Sequence, residues 1–292
     1  MFSVTFLKMF GSSWSGREIF CLRYRLILSD IDGTLLNSQH QLTAGVKQTI
    51  QTYVAAGGIF VLASARPPLA MTALARQMGL AVPLVSLNGA LIGQPEGEQL
   101  RILAATSWPE GVGPRVYHVL SMLPLSLNVF SGTHWYVAAF DKWTDQEAVI
   151  TDVKPTTAPI RDMLSDNLSV QKMLCMGDPA IVDQAEKIIL AHPEWQLVAS
   201  RSKATYLEIV RQGVSKRSAL QTLSSLYNVP IPETMALGDG ENDLPMLQAA
   251  GLGVTLANAL PQVSAVIKTV VPDNDHDGAA VAIQRYAMGE AQ

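Results

Sequence analysis

Only two cysteines, Cys21 and Cys175, occur in 292 residues, and no C-x-x-C spacing links them. Neither a disulfide framework nor a structural zinc site follows, and a reducing cytoplasm is the expected compartment. A basic surplus is also lacking: 21 Lys and Arg stand against 25 Asp and Glu, for a net charge of -4. A mildly acidic surface attracts neither nucleic acid nor anionic lipid, so neither is an expected partner. Nowhere does an uninterrupted apolar run approach the ~18 residues of a membrane-spanning helix. Met1 to Tyr24 has apolar residues broken by Lys8, Gly11, Ser12, Ser13 and Gly16. Its runs fall short of the ~7–15 residues of a signal-peptide core, so it is expected to be an extension outside the fold.

What is abundant is apolar residue, 48% of the chain, enough for one large core or two moderate ones. The stretch Asp30-Ile31-Asp32-Gly33-Thr34 follows the apolar run Leu26-Ile27-Leu28. The spacing predicts a strand over Leu26–Ser29 that delivers two carboxylates at its tip. A helix capped by Thr43 and stopped at Gly57-Gly58 comes next, then a strand over Ile59–Ala63. Pro67 and Pro68 suit the first turn of a second helix ending at Gly79, and Leu84–Leu87 is a third strand stopped by Asn88-Gly89. This βαβαβ order predicts a parallel sheet by the handedness of crossovers. In such sheets ligands bind beyond the carboxyl ends of the strands.

The rhythm changes between residues 90 and 213. Strands are expected at Ser126–Phe130, Thr133–Ala139, Val170–Met176, Trp195–Ser200 and Tyr206–Val210, with Ser131-Gly132 as a hairpin turn. Helices are expected at Arg115–Met122, Asp145–Asp152 and Ala180–Ala191. From Ser215 the first rhythm returns, with helices over Ser215–Tyr227 and Asn242–Ala250 and strands at Met235–Leu237, Gly253–Thr255 and Thr269–Val271. The expected fold class is therefore α/β, a Rossmann-like parallel-sheet core over residues 25–89 and 214–292, interrupted by an inserted α+β cap over 90–213.

Three further strand tips carry polar groups. Gly238-Asp239-Gly240-Glu241-Asn242-Asp243 stands between a strand and a helix, and two acidic sets at neighbouring strand ends remain ionised cheaply only beside a cation. A small number of oxygen ligands, with room for water and a phosphate oxygen, describes magnesium. Ser64 precedes a helix whose free N–H groups favour an anion. Lys216 lies in the first turn of a helix, where the macrodipole disfavours a cation unless an anion is near.

In this order, Asp30-Ile31-Asp32-Gly33-Thr34-Leu35-Leu36, Ser64, Lys216 and Gly238 to Asp243 resemble the four motifs of the haloacid dehalogenase superfamily. The insert resembles that superfamily's type IIB cap, and Ser86-Leu87-Asn88-Gly89-Ala90 resembles the segment before it, which points to the Cof-type phosphatases. Ala65 and Arg217 depart from residues common in relatives, where glycine is usual. The resemblance implies a magnesium-dependent phosphatase acting on a small phosphorylated metabolite such as a sugar phosphate, nucleotide or cofactor phosphate. It implies Asp30 as nucleophile and Asp32 as acid and then base. Magnesium is implied at the Asp30 carboxylate, the Asp32 carbonyl and Asp239, with Asp243 supporting the metal through water or orienting Lys216, and Ser64, Asn242 and Lys216 binding the phosphoryl group. None of these roles needs cysteine or histidine.

Asn88, His134 and Tyr136 are candidate substrate contacts, although aromatic residues on a strand commonly serve packing. Asp273-Asn274-Asp275-His276-Asp277-Gly278 opens like a calcium loop, but Gln284 stands where that loop requires glutamate, so a turn is expected. Asn258-Ala259 is accounted for equally well by a helix cap. Two other classes share parts of the pattern: a phospho-accepting switch and a non-catalytic metabolite-binding protein. A water-activating group at Asp32 distinguishes an enzyme from the switch, which needs a long-lived phosphoaspartate.

Overall fold

A computed structural model describes residues 22–289. The first half of the chain forms β1 (Leu26–Asp30), α1 (Ala44–Ala55), β2 (Ile59–Ala63), α2 (Pro68–Met78), β3 (Leu84–Ser86), β4 (Leu91–Glu96) and β5 (Gln99–Ala105). The insert continues with α3 (Val112–Leu120), β6 (Ser126–Ser131), β7 (His134–Val137), α4 (Lys142–Thr151) and β8 (Thr156–Thr157). It ends with α5 (Ile160–Ser165), β9 (Lys172–Met176), α6 (Pro179–Leu190), β10 (Leu197–Lys203) and β11 (Tyr206–Arg211). The return segment supplies α7 (Lys216–Leu226), β12 (Thr234–Leu237), α8 (Leu244–Ala249), β13 (Leu252–Leu256) and β14 (Val270–Val271).

Local chemistry sets these boundaries. The Thr43 hydroxyl accepts the Val46 N–H at 3.2 Å at the start of α1, satisfying a donor that the helix itself leaves free. Gly79 ends α2 in the left-handed region at φ 70°, where a Cβ would be costly.

The first sheet has eight strands in the order β14-β13-β12-β1-β2-β3-β4-β5. Strands β14 through β3 are parallel, and β4 runs antiparallel to both β3 and β5. Helices α1 and α2 pack on one face through Val46, Ile50, Met71 and Leu74, and α7 and α8 on the other through Leu220, Leu223 and Met246. The central strand β1 is covered on both sides, which is why Leu26-Ile27-Leu28 shows no alternation.

Two boundaries differ from the sequence expectation. The first sheet does not stop at Gly89, because the hairpin β4-β5 extends it to Ala105. Pro95 and Gly97 interrupt the apolar pattern of that hairpin and conceal it in the sequence. Of the extension expected over residues 1–24, residues 1–21 lie outside the described residues, whereas residues 22–24 join the fold. Arg23 N–H donates to Ala287 O at 2.9 Å and Tyr24 is buried in the core.

The second sheet has the order β10-β11-β9-β6-β7-β8 and is antiparallel except between β7 and β8. One face packs on α3, α5 and α6 through Val129, Met173, Cys175, Leu207 and Ile209. The opposite face carries Phe130, Trp135, Val137, Leu174, Met176 and Tyr206 onto Leu87, Ala90 and Leu91 of the first sheet's segment. Alternation along each strand thus divides the insert between its own helices and the core.

Candidate active site

The tips of β12, β1 and β2 are adjacent in the sheet, and all three parallel strands end on the same edge. Asp30 ends β1, Ser64 follows β2 and Asp239 follows β12 by two residues. Carboxylate oxygens of Asp30, Asp239 and Asp243 lie within 4.8 Å of one another, the one such acidic group among the described residues. Lys216, at the first position of α7, inserts its ammonium between two of them. Nζ contacts Asp30 Oδ1 and donates to Asp243 Oδ1 at 2.6 Å, with the lysine side chain only 2% exposed. The unfavourable position of a cation at this helix start is offset by these two carboxylates.

Each carboxylate is held by short-range geometry. Asp243 Oδ2 accepts the N–H groups of Asp239 at 3.1 Å and Gly240 at 2.9 Å, which folds the acidic loop back on itself. The Thr34 hydroxyl donates to Asp239 Oδ1 at 2.6 Å and so joins the turn after β1 to the loop after β12. Gly33, at φ 80°, lies so close to the Asp239 carboxylate that any side chain there would displace it.

Burial and crowding set the electrostatics. Burial, with the neighbouring Asp243 and Asp239, pushes the Asp30 carboxyl up to about 8 despite Lys216. Burial likewise raises Asp239. Burial opposes charge on Lys216, but Asp30 and Asp243 outweigh it and hold the ammonium above its usual range. With all three carboxylates ionised, the one ammonium would leave two negative charges, the deficit that one divalent cation removes. An all-oxygen donor set fits a hard cation of the magnesium type.

Asp32 is arranged differently from Asp30. Its carboxylate is 41% exposed and receives a bidentate fork from Arg66, Nε to Oδ2 at 3.0 Å and a terminal nitrogen to Oδ1 at 2.7 Å. His40 Nδ1 lies 3.5 Å from Asp32 Oδ1. The Asp32 side chain is therefore not among the clustered carboxylates; the sequence expectation assigned its carbonyl, not its carboxylate, to the metal. Arg66 has no role in the sequence expectation. Its signal is position alone, two residues after Ser64 on the loop beside β1. Buried Ser64 accepts the Arg66 N–H on its hydroxyl at 3.2 Å, fixing that loop.

Asn242 is exposed on the turn over Glu241–Asp243, outside the buried network. Asn88 donates its side-chain N–H to Glu208 of the insert. His134 and Tyr136 do not face the core. They stack on each other with ring centroids 5.6 Å apart, and Tyr136 packs with the residues under α3, α5 and α6. Strand alternation puts Trp135 and Val137, not this pair, on the side that meets the core. The loop from Asp273 braces the turn after β1, with Asn274 Nδ2 donating to Leu36 O at 2.8 Å and Asp275 accepting Ser38 N–H at 2.8 Å. Asn258 Nδ2 donates to Gly33 O at 2.7 Å and its Oδ1 accepts Asn274 N–H at 3.1 Å, so it bridges two loops rather than serving only as a cap.

The family model of the haloacid dehalogenase-like hydrolases matches residues 27–283. The chain belongs to the haloacid dehalogenase family. Within that family it is a hydrolase of the Cof-type phosphatases. It is 28% identical over 248 residues to an HMP-PP phosphatase of Cronobacter sakazakii, covering 82% of this chain and 87% of the relative. A crystal structure of a haloacid dehalogenase-like hydrolase from Bacteroides thetaiotaomicron superimposes with a TM-score of 0.80 at 30% identity, covering 90% of this chain and 99% of that one. A subclass IIB sugar phosphatase shares the fold, with a TM-score of 0.70 at 20% identity over 89% of this chain and 97% of that one. No helix among the described residues is long and apolar enough to cross a membrane.

Proposed function

We propose that this enzyme hydrolyses a small phosphorylated metabolite through a phosphoaspartate formed on Asp30, with magnesium as the cofactor. One observation carries the reading: a buried carboxylate at a strand tip, gripped by a buried lysine and crowded by two more carboxylates, with a second carboxylate two residues on held outside that cluster. Magnesium held by Asp30, Asp239 and Asp243 would draw charge from the phosphoryl oxygens. Lys216 keeps Asp30 in place, works against the burial that opposes its charge, and supplies positive charge to the oxygens of the transferring group. An Asp30 oxygen forms a bond to phosphorus as the bond to the leaving oxygen breaks, and the Asp32 carboxyl gives its proton to that oxygen. The Asp32 carboxylate then takes a proton from water as the water oxygen attacks phosphorus, which releases Asp30 and orthophosphate.

The Asp32 carboxylate holds both of its oxygens in the Arg66 fork. Its action as an acid requires that fork to loosen. Ser64 and Asn242 are assigned to phosphoryl oxygens, Ser64 because its loop adjoins β1 and Asn242 because the tip of the acidic loop is open to a ligand. The insert seated over Leu87, Ala90 and Leu91 supports its assignment as the cap that selects the leaving group and limits substrates to small molecules. The test is phosphate release from sugar phosphates, nucleotides and cofactor phosphates with and without magnesium. Release that requires magnesium and disappears in Asp30→Asn is expected, and release that persists in that variant overturns the proposal.

A further inference from the structure

The largely apolar contact between insert and core contains one buried ion pair. Lys172, the first residue of β9, and Glu208, in β11, pair at 2.8 Å with side chains 4% and 7% exposed. In the antiparallel register Glu208 stands opposite Leu174 and Val210 opposite Lys172, so the two charges are diagonal neighbours on the face that meets the core. The aliphatic stem of Lys172 is not free to reach solvent, and its ammonium lies 5.7 Å from the Phe130 ring centroid.

Both members of the pair extend a bond out of the insert. Lys172 Nζ donates to Ala65 O at 3.0 Å, and Glu208 Oε2 accepts the side-chain N–H of Asn88. Ala65 lies between Ser64, assigned to the phosphoryl group, and Arg66, which holds Asp32. Asn88 lies in a turn whose three successive residues, Leu87, Asn88 and Gly89, all have positive φ, at 53°, 60° and 102°. A leucine in that region is strained and persists only where its surroundings hold it. The same turn is joined to the Ser64 loop by Leu87 N–H to Arg66 O at 3.2 Å and Asn88 N–H to Ser64 O at 3.3 Å. Glu208 and Lys172 therefore close a ring of polar contacts around two core loops, one bearing Ser64 and Arg66 and the other leading into the insert.

Stability alone does not account for the pair, because apolar residues of similar volume commonly replace a buried ion pair without loss. Direction does, since each charge ends on a core loop atom that an apolar side chain cannot hold. We propose that Lys172 and Glu208 are positioning residues that fix the Ser64–Arg66 loop and the Leu87–Gly89 turn when the insert is seated. Seating of the insert thereby organises the groups that bind phosphate and orient Asp32. The catalytic consequence rests on the phosphatase reading; the loop ordering does not.

The test compares the full chain with the double variant K172M/E208L, which removes both charges and strands neither. Hydrogen exchange is read at the amides of Arg66, Leu87 and Asn88, and at the β6 and β1 amides as references. Exchange at the three loop amides is expected to accelerate by about tenfold or more while the reference strands keep their rates. Unchanged exchange at those amides, or equal acceleration throughout the insert, overturns the proposal. In the same variant kcat is expected to fall about 10- to 100-fold with little change in KM, as for a displaced catalytic loop. The more conservative K172R, which can still donate to Ala65 O, is expected to recover part of the loss. If the wild-type chain releases phosphate from no substrate, the phosphatase reading fails, and the exchange measurement still decides whether the pair orders the loops.

Discussion

The core and the insert each bury a lysine against carboxylate, and the two arrangements differ in charge balance. In the core, Lys216 meets Asp30 and Asp243 with Asp239 close by, so negative charge exceeds positive. In the insert, Lys172 meets Glu208 one to one. Surplus negative charge in a buried place is tolerable only with a bound cation or a proton, and burial first, with Asp243 and Asp239 adding to it, raises the Asp30 carboxyl. A balanced pair requires nothing further and is free to act through its hydrogen bonds. The same residue types thus make a ligand site in one region and a mechanical contact in the other.

Substitutions can break this contrast in order of expected effect. Asp30→Asn should lower phosphate release by about 10⁴-fold or more while raising the melting temperature of the metal-free protein, because it relieves carboxylate crowding; activity assays and thermal unfolding check the two halves. Lys216→Met should destabilise the metal-free fold by about 3–5 kcal/mol, and magnesium should restore part of that loss in denaturant titrations. The insert should behave differently: Lys172→Met alone destabilises, whereas removing Glu208 as well recovers stability, because Glu208 is then no longer buried without its partner.

Magnesium at about 100 times its Kd should stabilise the wild-type chain by about 2.7 kcal/mol. The same titration of Asp239→Ala should show a much smaller shift in unfolding midpoint. Arg66→Gln should reduce kcat about tenfold or more through loss of the fork on Asp32, with magnesium affinity unchanged by calorimetry. Smallest is the pH effect on the insert. Burial opposes ionisation of Glu208, but Lys172 and Asn88 outweigh it, so the folded protein holds this carboxyl below its ordinary 4.5. The unfolded chain therefore binds the proton first, and the stability from Glu208 is present above that value and lost as pH falls through the folded range. Glu147 has the opposite sign, since burial raises its carboxyl, and its contribution is present at low pH and lost as pH rises. Glu147→Gln should therefore stabilise the protein slightly near neutrality, by under about 1 kcal/mol, seen as a small rise in melting temperature.

The parallel core was legible because β1, β2 and β12 are short apolar runs that end in polar turns, and such turns fall on one sheet edge whatever the details of packing. Asp30, Asp239 and Asp243 converge for that reason, and Lys216 joins them from the start of α7. The β4-β5 hairpin was hidden by Pro95 and Gly97, which read as loop. The positions of His134 and Tyr136 are not legible in the sequence, because aromatic residues beside a hairpin do not reveal which sheet face meets the core. That choice depends on where α3, α5 and α6 pack. Arg66 and the Lys172–Glu208 pair carry no local pattern: Arg66 meets Asp32 across neighbouring core loops, and the core contacts of the pair are set by the seating of the insert.

The most direct measurement is mass spectrometry of protein acid-quenched during turnover of an activated phosphoryl donor such as acetyl phosphate, with magnesium present. A single phosphoryl group on the peptide containing Asp30, accumulating further in Asp32→Asn because water is no longer activated, is the expected result. Turnover without any such adduct in either protein, or a phosphoryl group on a different residue, would contradict the assignment of Asp30 as nucleophile.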